Sequence, residues 1–518
     1  MADTLVPLWQ SEVSSGGARW DWAMASHLLR RAGFGGTREE IEALVKMGPQ
    51  RAVASLIDYK AVKDDLPDVE FGELTAPGMG LGRGPRGGRA GRAPAQQQML
   101  QSMPENERRA FNQIQQSAQR AKEQEIRLWW LDRMVRTKRP LEEKMTLFWH
   151  GLFVSSSTTV KQTYLLYKQN QLLRKYATGN YRVLTHEISK DPAMLVYLNN
   201  NQNVKLKPNE NYARELMELF TMGIGNYTEE DIKESARAFS GWTNQGDEFL
   251  ARPQQHDAGI KTFLGQRGNF DGDQIVEIIF QQPATAKYIA TRILKFFATD
   301  TPSTEIVTAL AGIVKRNNFE IAPVLQALFS SRWFYSQEVM LRQIKSPVQL
   351  IVGSLRALGV SMLQPQQVVN ALKVMGQELF NAPTVKGWDG GRAWINTSTL
   401  FARYNLPAYL GTGKLPTVSK QKAPTDARME YSDFDSGWNP QLDLAAAEVA
   451  TTDGAVDMYV QKLLGFKLEP RKRDELIEYL NQTGDATSHL HDPITAESDR
   501  RTRGLVHLIM AMAEYQLC

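Results

Sequence analysis

The stretch NENYARELMELFTMGIGNYTEEDIKESARAFSGWT, residues 209–243, limits the possible folds most sharply, because it spells two helices joined by a glycine turn. Asn209 is placed to cap the first helix, its side-chain oxygen accepting an amide one turn in. Gly223 and Gly225 end that helix, since only glycine takes a left-handed conformation without cost. Thr228 with Asp231 is a capping signature for the second helix, and Gly241 closes it. Similar signals recur along the chain. Thr37 with Glu40 opens a helix through Met47, Pro140 opens another, and Pro283 starts one through Phe297. Further helical segments read at 104–138, 303–315, 320–330, 346–358, 366–378, 453–465, 470–482 and 502–516. The expectation is a mainly α, multi-helix globular body with few or no short strands.

On a wheel of the first central helix, Tyr212, Ala213, Leu216, Met217, Leu219 and Phe220 form a core stripe. Asn211, Glu215, Glu218 and Met222 fall within about 60° of one another on the other side. Two readings of that acidic face stay open. It is either a solvated surface, with Arg214 offsetting the repulsion between Glu215 and Glu218, or a carboxylate pair turned into a cleft to hold a cation or share a proton. In the 140–152 helix, Leu141, Met145, Phe148, Trp149 and Leu152 share one face. His150 points roughly opposite, toward solvent or a second surface. His256, Asp257 and Lys261 put a base, a carboxylate and an ammonium within six residues. The same loop also reads as one held by side-chain-to-backbone bonds. His27 reads as a packed core histidine, and Trp388 and Trp394 as packing residues.

Composition bounds the partners. The 518 residues are 42% hydrophobic and 23% charged, and 61 basic against 57 acidic residues leave a net charge of +4. No global field recruits nucleic acid or anionic lipid. No apolar run approaches the roughly 18 residues of a membrane helix. The amino terminus carries no secretory signal pattern, which makes the cytoplasm the default expectation. The single cysteine, Cys518, rules out intramolecular disulfides and cysteine-rich metal sites. P-loop, dinucleotide-binding, nucleophile-elbow and H-E-x-x-H patterns are missing, which argues against a nucleotide hydrolase, a nicotinamide enzyme, an α/β-hydrolase and a zincin.

Along the chain the expected organisation is a helical segment at 1–74, a disordered Gly/Pro/Arg-rich insertion at 75–96, a helical core at 97–410, an irregular linker at 411–440 and a helical segment at 441–518. Within the insertion Arg83, Arg86, Arg89 and Arg92 recur every third residue, so a polyproline-type conformation would align them for phosphate or an acidic partner. The plainer reading is a mobile, solubilising insertion.

PNENYARELMELFTMG and NYTEEDIKESARAFSGWT resemble the signature of the uncharacterised bacterial family known as domain of unknown function 1800. So do HLLRRAGFGGT at 27–37, KMTLFWHGLFVSS at 144–156, DPAML at 191–195, HDAGIKTFLG at 256–265, IKSPVQLIVGSLRALG at 344–359 and GWDGGRAW at 387–394. The resemblance implies no established activity. Relatives carry a second histidine where this chain has Leu152, and often aspartate where it has Asn199, so a two-histidine site is not implied here. Relatives are often exported, and are often encoded beside a sulfatase-like family, which would make such a protein a natural partner.

Together these residues frame two hypotheses. In the first, His150, Asn211, Glu215, Glu218 and His256 hold a divalent metal, and Glu215, Glu218, His256, Asp257 and Lys261 support hydrolytic or oxidative chemistry. In the second, the protein is a non-enzymatic binding or assembly protein whose carboxylates pair with arginines such as Arg214 and Arg237.

Overall fold

In the computed structural model, the described residues are 20–71, 102–360, 365–412, 414–417, 430–433, 438–449, 451–482 and 496–518. The glycine–arginine insertion with Arg83, Arg86, Arg89 and Arg92, and most of the 411–440 linker, lie outside them. Among the described residues the fold is mainly α, with twenty-one α-helices and three two-stranded antiparallel ladders. No helix there is long and apolar enough to cross a membrane.

Most of the expected helix signals act as read. Thr37–Glu40 and Thr228–Asp231 are reciprocal capping boxes, and Pro140 and Pro283 occupy the first turns of their helices. Gly241 must be glycine: its φ is +81°, and a Cβ there would stand 2.6 Å from the Arg252 carbonyl oxygen. The first central helix departs from expectation. It is α-helical only over Asn211–Glu215 and then widens into a π-turn over Leu216–Thr221. The Thr221 hydroxyl donates to the Leu216 carbonyl, and the amides of Met222 and Gly223 both reach Met217. The widened turn rotates the end of the helix, so Met222 enters the core, while Asn211, upstream of it at the helix start, is exposed. The four-residue acidic face of an ideal wheel therefore does not form; Glu215 and Glu218 remain side by side.

Two apolar cores meet. The first gathers residues between Met24 and Val339, including Tyr212, Leu216 and Phe220 of the central helix. The second joins Ile126–Val135 and Leu165–Leu166 to residues from Val348 to Tyr515. The Pro140–Leu152 helix lies along the seam. Met145, Phe148, Trp149 and Leu152 pack into the first core and Leu147 into the second. All of its residues but Gly151 are buried, as expected of a helix covered on every side. His150 accordingly turns to the second core and not to solvent. His27 packs against Phe334 and Tyr335.

Candidate functional site

A cleft of about 800 Å³ opens where the seam helix meets the chain beyond it. Leu147, Phe148 and Gly151 form one wall, and Arg292, Lys295 and Phe296 of the Pro283–Phe297 helix form another. Residues 342–346 make the rear, and the loop Trp388–Trp394 makes the rim. Three of the motif segments read from the sequence, at 144–156, 344–359 and 387–394, thus converge on a single cavity.

Glycine makes that convergence possible. Gly387, with φ of +85°, lies so close to the seam helix that a Cβ would sit 2.6 Å from the Gly151 carbonyl oxygen. Gly391, with φ of +53°, would bring a Cβ within 2.9 Å of Asp300 Oδ2. His150 ties the approach to this loop in place. Its Nε2 accepts the Phe380 amide at 3.1 Å, and its ring lies 5.7 Å from that of Trp388. An accepting Nε2 puts the ring proton on Nδ1. Burial pushes the His150 pKa down to about 3, so the ring stays neutral. His150 is therefore a positioning residue behind the rim. Trp388 and Trp394 pack, as read, but both also face the cleft.

Arg292, Lys295, Arg342 and Arg392 line the cleft, and among the described residues none has a carboxylate within ion-pair distance. Three carboxylates also line the cleft, each bonded to a neighbour other than these cations. Asp300 accepts from Gln343 Nε2 at 2.8 Å, Glu338 from Trp333 Nε1 at 3.0 Å, and Asp389 from Lys386 at 3.0 Å. Four lining cations against three carboxylates leave the lining with a formal charge of +1, the cations standing apart from the carboxylates.

The residues singled out from the sequence fall in three separate places. His150 stands at the cleft. Glu215 and Glu218 stay together on the central helix, half-buried, with tyrosines as neighbours: Tyr227 donates its hydroxyl to Glu218 at 2.8 Å. Burial, then the charge of Glu218, raises the Glu215 pKa, with Arg214 opposing; among the described residues Glu215 has no hydrogen-bond partner. Arg214 itself pairs with Glu229 and, at longer range, Glu210. Asn211 is exposed at the start of that helix, where its amide donates to Asn209 Oδ1.

His256, Asp257 and Lys261 do come together, as a clamp on their own loop. Arg237 grips Asp257 with two bonds of 2.7 and 3.1 Å and also reaches Glu234. Those bonds, opposed by partial burial, hold the Asp257 carboxyl down to about 2. Lys261 is buried and donates to the carbonyls of Asp257 and Gly259 at 2.6 and 3.0 Å, while His256 Nδ1 lies 3.1 Å from the Ser240 carbonyl. Among the described residues no group of three or more His, Cys, Asp or Glu side chains is disposed to hold a metal ion.

A helical body with one large, loop-rimmed, cation-lined cleft is the class of protein that this architecture defines. Residues 27–517 match the family described as "Protein of unknown function (DUF1800)", and the chain belongs to that family. Neither a functionally curated protein nor a solved structure matches it.

Proposed function

We propose that this is a ligand-binding protein whose cleft takes an anionic organic molecule, with Trp388 and Trp394 offering apolar faces to its body. One observation carries the reading: four lining cations lack carboxylate partners among the described residues of a cavity large enough for a small organic ligand. Arginine cannot discharge to escape that repulsion, so an incoming phosphate or carboxylate supplies the missing charge and can be gripped by two parallel bonds. Titration of the protein with nucleotides, sugar phosphates and polycarboxylates, followed by tryptophan fluorescence, tests this. Saturable quenching that disappears in Arg292→Ala is expected. A panel without saturable response, or one unchanged by Arg292→Ala, defeats the reading.

A divalent-metal site remains a second proposal, favoured by the half-buried, unpartnered Glu215 beside Glu218. Elemental analysis of untagged protein, with Glu215→Ala as the control, decides it: bound metal in the first and none in the second. An assembly role beside a sulfatase-like partner has the family resemblance as its support, and co-purification of native protein tests it.

A further inference from the structure

Behind the rear wall of the cleft lies a second, much smaller cavity of about 30 Å³, room for a few waters or one small ion. The wall is one strand of chain thick. Ile344 and Ser346 face the cleft, Lys345 faces the inner cavity, and Gln349 borders both. Ser26, Arg30, Lys462, Tyr515 and Cys518 complete the polar lining, with Lys462 paired to Asp443 at 2.6 Å, and none of the described residues lining it is Asp or Glu.

Positive groups outnumber negative ones around the cavity: of the charges acting on the Lys345 ammonium, those of Arg30 and Arg403 oppose it and that of Cys518 alone favours it. Lys345 is 6% exposed, its Nζ sits 3.8 Å over the Tyr515 ring, and among the described residues its ammonium makes no hydrogen bond. Deeper in, Lys144 Nζ is wholly buried between the rings of Phe34 and Phe296, also without a hydrogen bond. Arg31 donates to Cys518 Sγ at 2.9 Å and to the Ala298 carbonyl, and its Nε is unpartnered. Among the described residues Arg403 reaches only Gln516 and the Lys345 carbonyl. Elsewhere the molecule satisfies its buried cations, either with a carboxylate, as where Arg133 and Arg174 both grip the buried Glu143, or with carbonyls, as at Lys261. Burying a charge without a partner is costly, so the ammonium groups of Lys345 and Lys144, which have neither among the described residues, require an explanation.

We propose that the inner cavity is a site for one small inorganic anion, chloride or a tetrahedral oxyanion, held by Lys345 and Arg30 with the Ser26 hydroxyl. The Ser26 oxygen already accepts from Arg30 at 2.7 Å, which leaves its own hydrogen free to donate inward. Without an anion, burial pulls the ammonium groups of Lys345 and Lys144 down to about 7, which is the alternative way for the cluster to shed charge. This site is independent of what the cleft binds.

The full chain, dialysed into gluconate, is titrated with chloride and separately with inorganic phosphate at constant ionic strength, with the melting temperature as readout. A saturable rise with at least one of the two anions is expected, and which one acts identifies the preferred chemistry. Lys345→Met should weaken that affinity by about tenfold or more, the loss of one charge-assisted bond, while the cleft variant Arg392→Ala leaves it intact. Melting that follows ionic strength alone overturns the proposal, and so does a response kept by Lys345→Met but lost in Arg392→Ala. Should Lys345→Met not fold, broadening of the chloride resonance by wild-type protein and by Arg392→Ala, relieved by phosphate, is the deciding measurement. Its absence from the wild type, or its loss in Arg392→Ala, rejects the site.

Discussion

Gly391 shows how much a single hydrogen atom in place of a side chain can matter. At its φ of +53°, a methyl group would press on Asp300 Oδ2 at 2.9 Å, with strain added by the left-handed backbone. Gly391→Ala is expected to cost about 1–3 kcal/mol, seen as a lower urea midpoint, and to weaken cleft binding as the rim lifts. His150 works through its acceptor. His150→Leu leaves the Phe380 amide buried without a partner, a loss of about 1–3 kcal/mol by the same assay. Its titration has a definite sign. The folded pKa, lowered to about 3 by burial, lies below the unfolded value of about 6.5, so the unfolded chain takes up the extra proton. This contribution to stability is full above about pH 6.5 and fades as pH falls toward 3. In His150→Leu that part of the acid slope should vanish.

Between elements, another histidine behaves in the opposite way. His186 on the Tyr181–Ser189 helix lies between Asp273 and Glu277 of the Gly272–Gln281 helix, at 3.0 and 2.8 Å. Burial works to lower its pKa, but the bonds to both carboxylates and their charges prevail and raise it. A raised folded value means that the clip contributes fully below about pH 6.5 and is lost as pH rises through that value. Equilibrium unfolding across pH 5–9 should show His186→Gln without this alkaline decline. The 256–261 loop is likewise held from outside, by Arg237. Arg237→Met should cost about 1.5–3 kcal/mol and speed amide exchange at Gly259 and Thr262, whose N–H groups donate to Asp257 and Glu234. Capping boxes and helix-opening prolines were legible in the sequence because those signals are local. The π-turn was not, because no residue type announces the extra residue that displaced Met222 from the expected face.

For the molecule as a whole, the cleft's charge makes a prediction about salt. Binding of an anionic ligand should weaken several-fold between about 0.05 and 0.5 M salt, as screening shortens the reach of the four lining cations. Calorimetric titration measures this, and salt-independent affinity would contradict an electrostatic grip. The family motifs and helical content could be read from the sequence, whereas the cleft could not. Its cations come from residues 292, 295, 342 and 392, which share no spacing or pattern and become neighbours only when two cores dock. Conversely, Glu215 and His256 were conspicuous in the sequence, yet among the described residues no hydrogen bond or ion pair joins them.

The partition between cleft and inner cavity is fastened by the far end of the chain: Lys345 donates its amide to Gln516, and Cys518 donates to Gln343. During synthesis, residues 343–346 leave the ribosome long before their fastening partners. A nascent chain can thus hold every cleft side chain and still have no finished back to the cleft until residues 516–518 arrive.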